Sequence, residues 1–526
     1  MHLHFLDFVA IGVYFASLFV IGIYFSKRQT STETYFLAER KMPAFLVGIS
    51  VVATLVSTNT YLATPGETIK HGIGFFSLTL AYIFVIPTVN RFVIPLLMRL
   101  PVTSVYEYVE KRFSPGTRTL AASIFILTRL IWIGLIVYTA SLATTSMTGW
   151  SMPLVICAIG ISTAYYTTIG GIGAVIWTDF LQFALLMGGA VFIPLYVAWQ
   201  TGAGPLAWWD VFSKAGHTTV PVFSLDPLVR ITVVGMILES FVWNICTHGA
   251  DQVAAQRYLT TSSAEAAKRS VWTFSIFNVG LIALLMLCGV SLFYFKFHQA
   301  NIPMQEINSW VASKADTILP EFIATQLPSG IAGLLLAALL AAAMSSLSSG
   351  MNSISTVLMR DFVQRFGFGK SYSELTLARV FSCITGACGI VTAIWITQFM
   401  RSKDWNLVDL MERVNHLFVA PLGALFFAGI FFRRVGSLAV IVGFVMGALT
   451  SFAISFGREI FGTSQSISFM WILPASFLVS MIVAYIAGFF FPPPSQKQLE
   501  GMSLRPLPEE LAMNTQPSTS SRTEST

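Results

Sequence analysis

Residues 341–353 read AAAMSSLSSGMNS and lie in the middle of an apolar run that extends from about 331 to 359. Ala342, Ser345, Ser346 and Ser349 are spaced i, i+3, i+4, i+7, and Ser345, Ser348, Ser349 and Asn352 repeat that spacing one turn on. Both sets therefore share one helical face. Lipid offers a hydroxyl no hydrogen-bond partner, so this face needs a polar neighbour. A hard monovalent cation such as sodium takes oxygen ligands, mostly neutral ones if it is to leave again, and hydroxyls with freed backbone carbonyls supply them. Close packing of small residues, with each hydroxyl bonded to its own helix, accounts for the same string. Asp179, in the WTDFLQ of 177–182, lies several residues inside another apolar span. An ionised carboxylate there is costly unless it is paired or sits beside a cation. The two readings of Asp179 are an ion ligand and a salt-bridged structural carboxylate.

The elements that must hold these groups are membrane helices. The 526 residues are 55% hydrophobic and only 11% charged, whereas a soluble domain carries charge on about a quarter of its residues. The apolar runs are long and punctuated by Gly and Pro, which excludes a barrel of short alternating strands. Thirteen spans are expected, at 5–25, 44–69, 74–97, 119–146, 152–168, 174–199, 230–256 with a break, 271–295, 330–359, 376–399, 406–432, 437–456 and 469–491. The first has no basic leader or small-residue cleavage site and is followed by Lys27 and Arg28, so it reads as a retained span. Alternate loops collect twenty of the 31 Lys and Arg on one side. This places the N-terminus outside and the C-terminus in the cytoplasm of a plasma (inner) membrane. The five cysteines fall in apolar runs without metal-ligand spacing, and the net charge of +6 belongs to loops rather than to a nucleic-acid surface. Nothing in the sequence sets the oligomeric state.

Along the chain, 1–30 forms an extra first helix, 43–200 a first five-helix unit and 201–229 an external loop. A second unit follows at 230–432, with an external loop at 296–329 that carries an amphipathic helix. Two further helices lie in 433–494. Residues 495–526, polar and rich in Ser and Thr after three prolines, are expected to be a disordered cytoplasmic tail. The spans at 44–69 and 230–256 are both interrupted in polar fashion, by TLVSTNT at 54–60 and NICTHGADQ at 244–252. Transporters built from two inverted repeats bind solute and ion at such paired interruptions.

TTIGGIGAVIWTDFLQ at 167–182, GADQVAAQRYL at 249–259 and the serine string together resemble the sodium/solute symporters. These are relatives of the sodium–galactose and sodium–sialic acid transporters with the leucine-transporter fold, and the likeness covers roughly 5–490. It implies an all-α polytopic protein with two inverted five-helix repeats. It implies a sodium site between the first interrupted span and the serine span, from the backbone carbonyls of Ala53, Val56 and Ala342 and the hydroxyls of Ser345 and Ser346. For members with a second ion it implies Asp179, Ser345, Ser348 and Ser349. Sodium ions are then co-transported ligands, and no organic cofactor is called for.

The resemblance puts the solute at the midplane, among Ser57, Thr58, Asn59, Thr60, Phe75, Leu78, Tyr82, Arg129, Trp243, Asn244, Thr247, His248 and Asn415. Polar groups beside aromatics suit a small hydroxylated or amphiphilic molecule. Where the galactose subgroup carries Gln, Glu and Lys, this chain has Thr60, Leu78 and Asn278, and only Asn244 agrees, so a hexose is not supported. Arg129 reaches the midplane and could hold a substrate carboxylate, as an arginine does in sialic-acid-transporting relatives, although alignment puts that arginine nearer Trp132. The alternative is mutual neutralisation of Arg129 and Glu239. His248 and Asp251 flank the second interruption as gate, proton acceptor or helix cap. Arg257, Arg360 and Asp361 read as salt-bridging residues of the cytosolic face.

The function expected is a sodium-driven symporter that imports a small polar organic solute (a sugar, a sialic-acid-like molecule or another carboxylate) by alternating access. Its rivals are proton coupling through Asp179 or His248, and a transporter-like sensor. A membrane enzyme is disfavoured, for want of clustered metal ligands or a nucleophile with a partner base.

Overall fold

The computed structural model describes residues 4–300, 304–367, 372–401, 407–462 and 467–502, and the described residues form helices and connecting turns with no strand among them. The principal helices are α1 (Phe5–Ser26), α2 (Ala44–Leu55), α3 (Thr58–His71), α4 (Tyr106–Arg112), α5 (Pro115–Thr148), α6 (Met152–Thr201), α7 (Val233–Ala250), α8 (Gln252–Leu259), α9 (Ala264–Ala300) and α10 (Ile331–Val357). They are followed by α11 (Glu374–Arg401), α12 (Leu407–Phe431), α13 (Ser437–Ser455), α14 (Ile472–Ala487) and α15 (Gln496–Leu499).

Both expected interruptions are present. α2 stops at Leu55 because Val56 (φ −84°, ψ 95°) and Ser57 (φ −84°, ψ 171°) are extended, and α3 restarts at Thr58. Asp251 (φ −95°, ψ 120°) separates α7 from α8, and its carboxylate caps α8 by accepting from the Val253 amide at 2.9 Å. Of the sequence alternatives for Asp251, capping is therefore observed. Each break leaves the last carbonyls of one half-helix and the first amides of the next without helical partners.

Ten helical stretches among the described residues are long and apolar enough to cross a membrane. Three differences separate this from the thirteen spans expected. Residues Thr58–Arg99 run on as one helical stretch, α6 joins two expected spans, and α7 ends after 18 residues at the Asp251 break. α6 is nevertheless bent at Gly171, whose φ of 61° and ψ of −163° only glycine adopts without strain. A Cβ there would lie 2.8 Å from the Tyr35 carbonyl oxygen.

α10 is the axis of the molecule. The best membrane-length stretch of 331–366 is 89% buried, against 22% for that of α1, whose outer face is apolar and exposed as a lipid-facing helix requires. α10 packs on α6, α5, α1 and α11. Its N-terminus is capped by another helix: buried Asp7 of α1 accepts from the amides of Gly330 at 2.7 Å and Gly333 at 2.8 Å.

Residues 495–502, expected in a disordered tail, begin instead with a capped turn at Ser495 and Gln498, and Gln498 donates to the Phe113 carbonyl beyond α4. The local capping chemistry and this contact outweigh the polar composition; residues 503–526 lie outside the described residues. A helix at Met304–Thr325 occupies the loop expected to be external.

Candidate functional site

α10 presents its hydroxyls to two neighbours. Ser346 Oγ donates to the Thr54 carbonyl at 2.9 Å, in the last turn of α2 before the break. Ser345 Oγ donates to Asp179 Oδ1 of α6 at 2.7 Å. Ser349 Oγ lies 2.8 Å from Thr54 Oγ1, and Ser348 bonds back to the Ser345 carbonyl at 2.9 Å. Ala53, Val56, Ala342 and these four serines are all buried. Serines of both expected ion-ligand sets thus lie along α10, with Ser345 turned to α6 and Ser346 to α2. Among the described residues no group of three His, Cys, Asp or Glu side chains is placed to hold a metal ion.

Asp179 does not stand alone. Its Oδ2 accepts from Ser50 at 2.5 Å and from the Arg257 guanidinium at 3.0 Å. Arg257 also donates to Ser50 at 2.8 Å, to the Val253 carbonyl at 2.7 Å and to Ser349. This corrects the expectation for Arg257: it is 1% exposed and lies inside the protein against the carboxylate, because the Asp251 break lets α8 turn inward. Asp361 does form an ion pair, with Arg118 at 2.6 Å, while Arg360 contributes its carbonyl to Arg118 and its guanidinium to Gln364.

Beyond the break a cavity of about 180 Å³ is lined by Ser57, Asn59, Thr60, Phe75, Leu78, Tyr82, Arg129, Trp243, Asn244 and Asn415. Ten of the expected solute residues are therefore brought together. Thr58, Thr247 and His248 are not on that wall. Thr58 donates to the Leu339 carbonyl at 2.9 Å, Thr247 is buried in α7, and His248 Nδ1 lies 2.8 Å from the Tyr258 hydroxyl. Thr58 and His248 are thus taken up by packing neighbours rather than by the opening.

The wall has a polar relay: Asn278 donates to the Tyr82 hydroxyl at 2.7 Å, and that hydroxyl donates to Asn244 Oδ1 at 3.3 Å. Arg129 lies over Trp132, 4.6 Å from its ring centre, and both residues line the cavity. The expected pairing of Arg129 with Glu239 is not what forms. Arg129 pairs with Asp251 at the α7 break, and Glu239 lies 3.7 Å from His416 on the same cavity wall. Sequence reasoning missed Ser50, Thr54 and His416 as site residues. Ser50 and Thr54 were legible, being one helical turn apart beside the break; His416 carried no signal.

A model of the sodium:solute symporter family matches residues 35–447. The chain is 30% identical over 472 residues to the sodium/sialic acid symporter SiaT of Proteus mirabilis, covering 88% of this chain and 92% of that protein. It is 28% identical over 468 residues to the human sodium-coupled monocarboxylate transporter 1, covering 85% of this chain and 73% of that protein. Among solved structures it is similar to a Na+-coupled sialic acid symporter in a substrate-bound outward-open state. There the TM-score is 0.82 at 27% identity, over 94% of this chain and 99% of that one.

Proposed function

The chain belongs to the sodium:solute symporter family and is a sodium-coupled symporter of a small organic solute, and from that premise we propose that it imports a carboxylate-bearing polar molecule through the cavity beyond the α2–α3 break. The observation that carries this reading is the meeting of the α10 hydroxyls with the broken end of α2, at Ser346 and Thr54. A cation there would take the carbonyls of Ala53, Val56 and Ala342 and the hydroxyls of Ser345 and Ser346. A second would take Asp179, Ser345, Ser348 and Ser349, so that two sodium ions accompany each solute and no organic cofactor takes part.

The first ion ties α2 to α10 and favours the outward-facing state; the solute closes the outer side, and loss of sodium to the cytosol loosens the inner one. The membrane potential contributes about 2.3 kcal/mol per net charge per 100 mV, so two ions carried with a monoanionic solute gain about that much. The carboxylate goes to Arg129, in exchange for its pairing with Asp251. That assignment is supported by the position of Arg129 on the cavity wall and by relatives named for sialic acid and monocarboxylates. The wider architecture we adopt is thirteen crossings in a plasma membrane, with inverted repeats at 43–200 and 230–432, the N-terminus outside and the C-terminus cytoplasmic.

Uptake of labelled sialic acid, lactate and a hexose into proteoliposomes, at fixed pH with and without an inward sodium gradient, tests this. Accumulation of a carboxylate solute only with sodium is expected. Equal accumulation without sodium would mean proton coupling and overturn the reading, and binding without accumulation would mean a sensor.

A further inference from the structure

The carboxylate assigned to a second sodium ion already has a positive charge seated on it, and the role of that charge rests on the two-ion reading. Arg257 donates to Asp179 Oδ2 at 3.0 Å and to the Ser349 hydroxyl, two of the four groups named for the ion. Asp179, Arg257, Ser50, Ser345 and Ser349 are all buried. Both carboxylate oxygens are occupied, Oδ1 by Ser345 and Oδ2 by Ser50 and Arg257. The ion pair to Asp179 in the described residues is with Arg257.

Sodium and the guanidinium draw on the same two groups, Asp179 and Ser349, and as like charges within about 4 Å they repel strongly in a medium of low dielectric. One carboxylate cannot neutralise both, which sets them in competition. When the ion leaves, a bare carboxylate would have to pass through the conformational cycle inside the membrane, where an uncompensated charge is expensive. Arg257 supplies the compensating charge. It is held on its own short helix as well, by donating to the Val253 carbonyl one turn back at 2.7 Å. α8 is joined to α7 only through extended Asp251, so the reach of Arg257 to Asp179 fastens α8 to α2, α6 and α10 at once.

We propose that Arg257 is a tethered cation that takes the place of the second sodium ion in the ion-free carrier, and that sodium binds there by displacing it. Ion entry then releases α8 from α2, α6 and α10, and ion exit re-fastens it. Arg257 is a positioning residue in this scheme, and its role is to let the unloaded carrier return with Asp179 neutralised.

Sodium titration of the purified, solute-free protein tests this, with thermal stability read in sodium chloride against choline chloride at constant ionic strength. In Arg257→Gln the competitor is gone, and the half-saturating sodium concentration of the Asp179-dependent phase is expected to fall about tenfold, the equivalent of one charged hydrogen bond. In proteoliposomes the same variant should lose net uptake while retaining solute exchange with sodium on both sides, since exchange skips the ion-free return. A merely structural role would lower both together. An unchanged or raised half-saturation overturns the proposal. Where Arg257→Gln does not fold, Arg257→Lys decides: its single ammonium holds the two oxygens less well, so half-saturation falls while net uptake persists, and a wild-type titration overturns the proposal. Asp179→Asn separates the premise from the inference. If it leaves the titration unchanged, the second site itself is wrong; if it removes one phase and Arg257→Gln shifts nothing, only the tethered cation is wrong.

Discussion

At the scale of the residue, the site is a set of buried hydroxyls whose partners differ by one position along α10. Ser345 serves the carboxylate side and Ser346 the carbonyl side, which gives their removal different consequences. On the two-ion proposal, Asp179→Asn should lower the Hill coefficient for sodium towards one in uptake assays, because the proposed second ion would lose its only charged ligand. Ser346→Ala should leave the Hill coefficient alone and raise half-saturating sodium roughly fivefold, the worth of about 1 kcal/mol for a neutral hydrogen bond. Arg129→Ala strands Asp251 as a buried charge at the α7 break, and breaking such a pair costs roughly 3–5 kcal/mol. Asp251→Asn added to it should restore thermal stability without restoring carboxylate uptake. A double variant that transports normally would remove Arg129 from the solute site.

At the scale of the element, function depends on helices that end early or are held by others. α2 ends at Leu55 and α7 at Ala250, and the Thr54 carbonyl of α2 turns to Ser346 while the Ala250 carbonyl of α7 accepts from the Tyr106 hydroxyl. α10 in turn starts where α1 lets it, because the Asp7 carboxylate takes the first amides that have no helical partner. Asp7→Ala should therefore cost about 1–2 kcal/mol, a cap plus its interaction with the helix dipole. Thermal unfolding in detergent reads this as a lower midpoint, with half-saturating sodium little changed, since Asp7 lies several turns from Ser345. Without a fall in midpoint, the capping role of α1 fails. The bend at Gly171 is of the same kind: it turns α6 so that Asp179 points to α10 rather than to lipid.

At the scale of the molecule, the buried α10 is enclosed by helices whose outer faces are apolar, and polar groups are concentrated inside. On the proposed sites, ion and solute would be coupled through shared helices rather than through a shared ligand. Clamping the potential across proteoliposomes at −100 mV relative to 0 mV, with equal sodium on both sides, should drive solute accumulation. With two ions per neutral solute the drive is about 4.6 kcal/mol, and with a monoanionic solute about half that, since one net charge moves. No accumulation under potential alone would argue for an electroneutral cycle.

Sequence alone determined the class of the protein, because composition and the length of apolar runs are properties of each segment separately. It determined the oxygen-rich face of α10 and both helix interruptions for the same reason: helical spacing and the Asp251 cap are local. The tertiary structure decided the partners. That Arg129 meets Asp251 and not Glu239, and that Arg257 lies against Asp179 and not at a surface, depend on where two half-helices turn after a break, and no periodicity encodes that angle. The same holds for Thr247 and His248, which lie one turn along α7 from Asn244 yet do not line the cavity that Asn244 lines. Helical spacing fixes which residues share a face, and only packing fixes what that face meets.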